Sequence, residues 1–100
     1  MSFAFVYVTC SNKKEANKIA LHLLDKKLIA CANIFPIESL YWWKEKIEKA
    51  KEFILIVKTS NKKFKKVENE IKKIHSYSIP CIIRFDAKAN KKYEKWIKTI

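Results

Sequence analysis

Glycine is missing altogether from these 100 residues, where average usage would supply about seven. Phosphate-cradling loops, dinucleotide-binding turns and nucleophile elbows all need glycine where the backbone turns sharply or comes close to a ligand. Its absence excludes them. Arginine is almost missing too: of 22 basic residues only Arg84 is an arginine, set against 10 acidic residues and a formal charge of +12. Bidentate reading of phosphates and base edges favours arginine, whereas dispersed lysines solubilise a surface and attract polyanions weakly and in a salt-dependent way. The charge therefore reads as a solvated face and not as a nucleic-acid footprint. Cysteine occurs three times, as Cys10, Cys31 and Cys81, with no C-x-x-C pair, which argues against a disulfide framework and a zinc knuckle and for free thiols. No apolar run approaches the roughly 20 residues that span a bilayer. Met1 to Thr9 also lacks the basic n-region and small-residue cleavage site of a signal peptide, so a cytoplasmic protein without membrane contact is expected. No serine, histidine and acid arrangement, paired-carboxylate signal or cofactor box is present, and no enzyme is expected.

What is present is apolar and aromatic. Hydrophobic residues make up 49% of the chain and aromatics 13%, with Tyr41, Trp42 and Trp43 consecutive. The length suits one domain over residues 1–100. A domain this small cannot hide so many rings, and large exposed apolar patches mark interfaces, so self-association is the natural remedy.

Phe3 to Thr9 is a continuous β-branched and aromatic run, the pattern of a central strand. Asn12 with Glu15 resembles a capping box, and Ala16, Ile19, Ala20, Leu23 and Leu24 recur at helical spacing, which predicts a helix from Lys13 to Lys27. Leu28 to Leu40 returns to strand composition, bent at Pro36. Tyr41 to Trp43 continue it, Lys44 to Lys46 make a turn, and Ile47 to Thr59 run back as the second limb of a long hairpin. That turn carries Lys44 and Glu45 where glycine or asparagine is usual, so a strained or wider turn is expected. Ser60 or Asn61 caps a second helix with Phe64, Val67, Ile71 and Ile74 on one face, ending near His75. Pro80 breaks the pattern, Cys81 to Asp86 form a fourth strand, and Asn90 caps a last helix in which Tyr93, Trp96, Ile97 and Ile100 share a face. The order is that of an α+β ferredoxin-like fold, βαββαβ plus a C-terminal helix, with an antiparallel sheet backed by helices on one face.

Five segments then stand out: Leu28 to Ile34, Ser39 to Trp43, Glu52 to Thr59, His75 to Pro80 and Tyr93 to Trp96. In order and spacing they resemble the motifs of the CutA divalent-cation-tolerance family, across essentially the whole chain. The resemblance implies a homotrimer whose long hairpins join edge to edge, with clefts between subunits like those of PII-type signal proteins. It also implies a role in tolerance to divalent cations, copper especially, with no obligatory cofactor.

His75 matches the histidine of the family's His-Pro-Tyr motif, with Ser76 in place of the usual proline and Cys81 in place of a common glutamate after Pro80. Imidazole with thiolate suits copper(I) or zinc; the plain alternative is a helix-capping histidine and an ordinary strand cysteine. Cys31 lies in an apolar strand, where a lone cysteine is usually a small core residue, with metal ligation as its functional reading. Cys10 lies just before the first helix, whose dipole is expected to lower its thiol pKa and make it reactive or metal-seeking. His22 falls on the polar side of that helix with no partner in view. Tyr41, Lys58, Tyr77 and Trp96 match positions of the family's intersubunit cleft, where a small anion would meet the lysine and a planar group the rings; simple packing is the alternative. An RNA-binding, RRM-like module shares the same element order. It needs stacking aromatics and a glycine-bearing motif on the third strand, where Lys51 to Val57 offers only Phe53 followed by aliphatics.

Overall fold

Residues 2–100 are described by a computed structural model. Strand β1 (Phe3–Cys10) leads into helix α1 (Lys13–Asp25), then β2 (Cys31–Trp43) and β3 (Lys46–Thr59). A single 3-10 turn (Asn61–Lys63) opens helix α2 (Phe64–Ile74), followed by β4 (Ile82–Ala87) and α3 (Lys91–Lys98). The strands form one antiparallel sheet in the order β2-β3-β1-β4, the ferredoxin-like arrangement that the sequence pattern predicts. Among the described residues no helix is long and apolar enough to cross a membrane.

Strand alternation assigns the two faces. Val6, Val8 and Cys10 of β1 join Leu55 and Val57 of β3 against Ile19 and Leu23 of α1 and Val67 and Ile71 of α2, all fully buried. Phe3, Phe5, Tyr7 and Thr9 belong to the opposite face. Helices α1 and α2 cover the first face as expected; α3 takes one end of the other. Tyr93 meets Phe3 edge-on at 6.4 Å, and the Lys58 ammonium stands 5.5 Å over the Tyr93 ring. Ile54 and Glu52 are buried on that face as well, but its β4 side stays open, with Phe85 53% exposed against Phe5.

Several boundaries move. Helix α1 ends at Asp25, two residues earlier than its apolar spacing suggests, because Lys27 adopts φ 55° and turns the chain out of the helix. The Leu28 N–H then returns to the Leu23 carbonyl at 3.0 Å, so β2 begins at Cys31, not Leu28. The hairpin turn is two residues long: Lys44 (φ 49°) and Glu45 (φ 65°) both occupy the left-handed region of a type I′ turn. The turn is strained as expected, but not wider. Asn12 caps α1 by accepting the Glu15 N–H at 2.8 Å. Ser60 and Asn90 make no such side-chain cap; at α3 the Glu94 carboxylate instead accepts the Ala89 N–H at 3.0 Å.

The hairpin stays paired from Cys31 opposite Lys58 to Trp43 opposite Lys46. It accounts for the elongated shape, 45 × 23 × 21 Å. Towards its tip Leu40, Trp42 and Ile47 project into solvent, Trp42 being 71% exposed.

Candidate functional site: a donor cluster beside a cleft

Three element ends converge on one point. Cys10 is the last residue of β1 and faces the helices. Glu15 stands in the first turn of α1, and His75 closes α2, its N–H bonded to the Ile71 carbonyl at 2.9 Å. One donor atom from each of Cys10, Glu15 and His75 lies within 4.8 Å of the others.

The hydrogen bonds define the state of each group. The Glu15 carboxylate accepts the Ser11 N–H at 2.8 Å, the Ser11 hydroxyl at 2.9 Å and the Ser76 N–H at 2.8 Å. Its partial burial favours the neutral acid, but these bonds from Ser11 and Ser76 outweigh it and bring the pKa down to about 2. His75 Nε2 is 2.7 Å from the Thr9 carbonyl, which only accepts, so Nε2 carries the proton. Nδ1 is then the acceptor of the Tyr77 N–H at 3.0 Å. Burial, and after it the charges of Glu15 and Glu52, push the Cys10 thiol up to about 12. This reverses the expectation that the helix dipole makes Cys10 reactive, because the thiol faces a carboxylate and an apolar core.

Sulfur, imidazole nitrogen and carboxylate oxygen together suit zinc or copper. To take such an ion, Cys10 gives up its proton and one His75 ring nitrogen gives up its bond, Nε2 that to the Thr9 carbonyl or Nδ1 that from the Tyr77 N–H. The donor set fits, and its Glu15 and His75 members are already engaged within the chain.

Beside the cluster, on the open face of the sheet, lies a cleft of about 800 Å³. The hairpin forms one wall, and the segment from Ser76 to Ile79 with Cys81 forms the other. Four ring-bearing residues line it, Tyr7, Tyr41, Trp43 and Tyr77, together with Glu52, whereas Glu38, opposite Lys51, alternates to the other face of the hairpin. Glu52 is only 5% exposed and accepts the Tyr77 hydroxyl through Oε2. Burial and this bond to a carboxylate raise the Tyr77 pKa, so the phenol remains the donor.

The predicted residues divide between these two places. Cys10 and His75 meet, with Glu15 as a third member that the sequence suggested only as a cap. Cys81 lies outside the cluster. Its carbonyl accepts the Thr9 N–H at 3.3 Å, which sets it opposite Thr9, on the face away from Cys10, and it lines the cleft. Cys31 opens β2 opposite Lys58, its thiol 3.9 Å from Asn33 Oδ1. Tyr41 and Tyr77 share the cleft. Lys58 and Trp96 instead flank Tyr93, whose ring centre is 5.6 Å from that of Trp96. Within one chain, then, an anion in the cleft finds the Glu52 carboxylate and no lysine. His22 has a partner after all, Glu70 of α2 at 2.9 Å. In the sequence Glu52 stands only as the first residue of the Glu52 to Thr59 segment, among lysines like any solvated charge; it lies level with Ile54 and Ile56 on the sheet face away from the helices α1 and α2, where Tyr77 meets it.

The model of the CutA1 divalent ion tolerance protein family matches residues 4–100. The divalent-cation tolerance protein CutA of Archaeoglobus fulgidus is 49% identical over 94 residues, 93% of this chain and 92% of its own. That of Pyrococcus horikoshii is 40% identical over 93 residues, 92% of this chain and 91% of its own. Among solved structures, the A. fulgidus protein, described as periplasmic, superposes with a TM-score of 0.94 at 47% identity, over 99% of this chain and 97% of that one. CutA1 of Oryza sativa superposes with a TM-score of 0.94 at 37% identity, over 99% of this chain and 93% of that one.

Proposed function

The chain belongs to the CutA1 divalent ion tolerance family, and from that premise we propose that it is a cytoplasmic, homotrimeric protein that takes copper or zinc without catalysing a reaction. The observation that carries this reading is the convergence of Cys10, Glu15 and His75 within 4.8 Å. Ion uptake there displaces a proton from a thiol held at about 12, so affinity rises with pH, as for any site whose ligands must first be deprotonated. Ligation through Nδ1 would also free the Tyr77 N–H from His75. Because Tyr77 lines the neighbouring cleft, occupancy of the cluster is felt in the cleft wall, which gives tolerance a route to a signal.

The trimer rests on the apolar surface left over. Phe35, Ile83 and Phe85 on the sheet, with Leu40, Trp42 and Ile47 on the hairpin, are all exposed in one chain. Both sheet edges, β2 and β4, are open, and pairing with further copies covers them. An RRM-like reading gains nothing: the central strands present Phe5 and Tyr7 on β1 but Ile54 and Ile56 on β3, where a stacking ring is needed.

The test is competitive titration with copper(I) and with zinc against a chromophoric chelator. Cys10→Ser and His75→Gln are each expected to weaken binding about tenfold or more, while Cys31→Ser and Cys81→Ser leave it unchanged. Equal affinities in the parent chain and the Cys10→Ser, His75→Gln double variant would remove the site.

A further inference from the structure

The positive charge of the chain is segregated. The hairpin from Cys31 to Thr59 carries five lysines against four glutamates, whereas residues 12–27 and 61–75, which hold α1 and α2, carry eleven lysines against four acids. Residues 88–100, with α3, add five lysines against Glu94. Helices α1 and α2 lie across the sheet from the hairpin rings and the open face to which self-association falls, so assembly through those surfaces leaves their outer side facing water.

Within that layer the lysines gather at one place. A groove of about 370 Å³ runs between the end of α1 and α2, lined by Lys26, Leu28, Lys66, Asn69, Glu70 and Lys73. Lys66, Asn69 and Lys73 fall at i, i+3 and i+7 on one side of α2, which sets the two lysines about 10 Å apart along the helix. The one carboxylate orients the cations without cancelling them: Glu70 accepts Lys26 Nζ at 3.2 Å, Lys73 Nζ at 3.0 Å and His22 Nε2 at 2.9 Å. An ammonium has three hydrogens, so Lys26 and Lys73 each keep two for a further acceptor. Lys66 forms no ion pair among the described residues.

The lining selects among anions. It holds no arginine to fork onto a base edge, and the large apolar side chains exposed on α1 and α2 are Leu21 and Leu24, not rings on which a base could stack. A nucleic-acid duplex is far wider than a groove of this size. A chain one phosphate wide enters it, and lysine binds phosphate as a point charge, with no need of bidentate geometry.

We propose that the groove between α1 and α2 binds linear polyphosphate, successive phosphate groups bridging Lys26, Lys66 and Lys73 while Glu70 holds the first and last of these in place. The site needs neither the Cys10, Glu15 and His75 cluster nor a particular number of copies, so it stands or falls independently of both.

Calorimetric titration of the intact protein at about 50 mM salt tests it, with linear polyphosphate, inorganic monophosphate, duplex DNA and polyglutamate compared at equal charge concentration. Polyphosphate is expected to bind saturably and at least about tenfold more tightly than any of the other three. Its log K should fall against log salt with a slope of roughly −2 to −3, the value for three lysine contacts. Lys26→Gln combined with Lys66→Gln is expected to weaken it about tenfold or more. Lys91→Gln combined with Lys92→Gln removes the same charge from α3 and is expected to change affinity less than about twofold, because that charge is distant and screened. All four side chains are exposed, so neither pair of substitutions disturbs the core. The proposal is overturned if monophosphate, the duplex or polyglutamate binds as tightly as polyphosphate, or if polyphosphate shows no saturable binding by about 1 mM. Equal losses in the two double variants would overturn it as well, since attraction would then follow net charge and not the groove.

Discussion

Glu15 ties two distant parts of the chain together: its carboxylate holds Ser11 beside it and Ser76 on the loop after α2. Its pKa falls from an ordinary 4.5 to about 2 on folding. The stability this supplies is complete above the unfolded value and is lost as pH falls from about 4.5 towards 2. Glu70 shares the behaviour, since hydrogen bonds from His22, Lys73 and Lys26 bring it to about 2 as well. Glu15→Gln should therefore cost about 1 to 2 kcal/mol near neutrality, through weakened hydrogen bonds. It should also flatten, without abolishing, the decline between pH 4.5 and 2. Urea midpoints measured across that range check both points, and an unchanged acid slope would show that the carboxylate does not hold the loop. The role of Glu15 was half visible in the sequence. The capping pattern with Asn12 is local, but the bond to Ser76 spans 61 residues and has no signature in spacing. The state of His75 was hidden for the same reason: the Tyr77 N–H on Nδ1 is local, but the Thr9 carbonyl that sets the proton on Nε2 is reached only once β1 and α2 meet.

The elements themselves were largely legible. The continuous apolar run of β1, and the apolar stripe of Val67 and Ile71 on α2, reflect which side chains must leave water, and burial in one core enforces them. Ends were less legible, because they depend on single backbone torsions. With no glycine in the chain, Lys27, Lys44 and Glu45 adopt positive φ without the residue that does so at no steric cost. A left-handed torsion in an ordinary residue costs roughly 1 kcal/mol. Replacing Lys44 by Asn and Glu45 by Gly, the preferred pair for a type I′ turn, should accordingly stabilise the protein by about 1 kcal/mol. A higher guanidinium midpoint at unchanged slope is the expected result; no change, or a loss, would mean that Lys44 and Glu45 make compensating contacts at the tip. Helix α3 shows a different limit. Its apolar face was plain in the sequence, but which side of the sheet it would cover was not, since that follows from Tyr93 finding Phe3 and Lys58.

At the scale of the molecule, surplus apolar surface was predictable from composition alone, while its location on the hairpin and the open sheet face needed the fold. If three copies of the 11.9 kDa chain associate through those surfaces, light scattering should return a trimer mass at micromolar concentration, and Trp42→Glu should shift the population towards smaller species. A parent chain that stays monomeric would remove the proposed assembly. The 45 Å long axis adds one more outcome. Lys44 and Lys46 flank the outermost point of the hairpin, so trypsin has a ready target at the far end of an uncovered lever. Digestion would cut a solitary chain there, before it reaches the body, and would spare that bond wherever neighbouring copies clasp the lever along its length. The hairpin is thus a built-in gauge of assembly, readable on a gel.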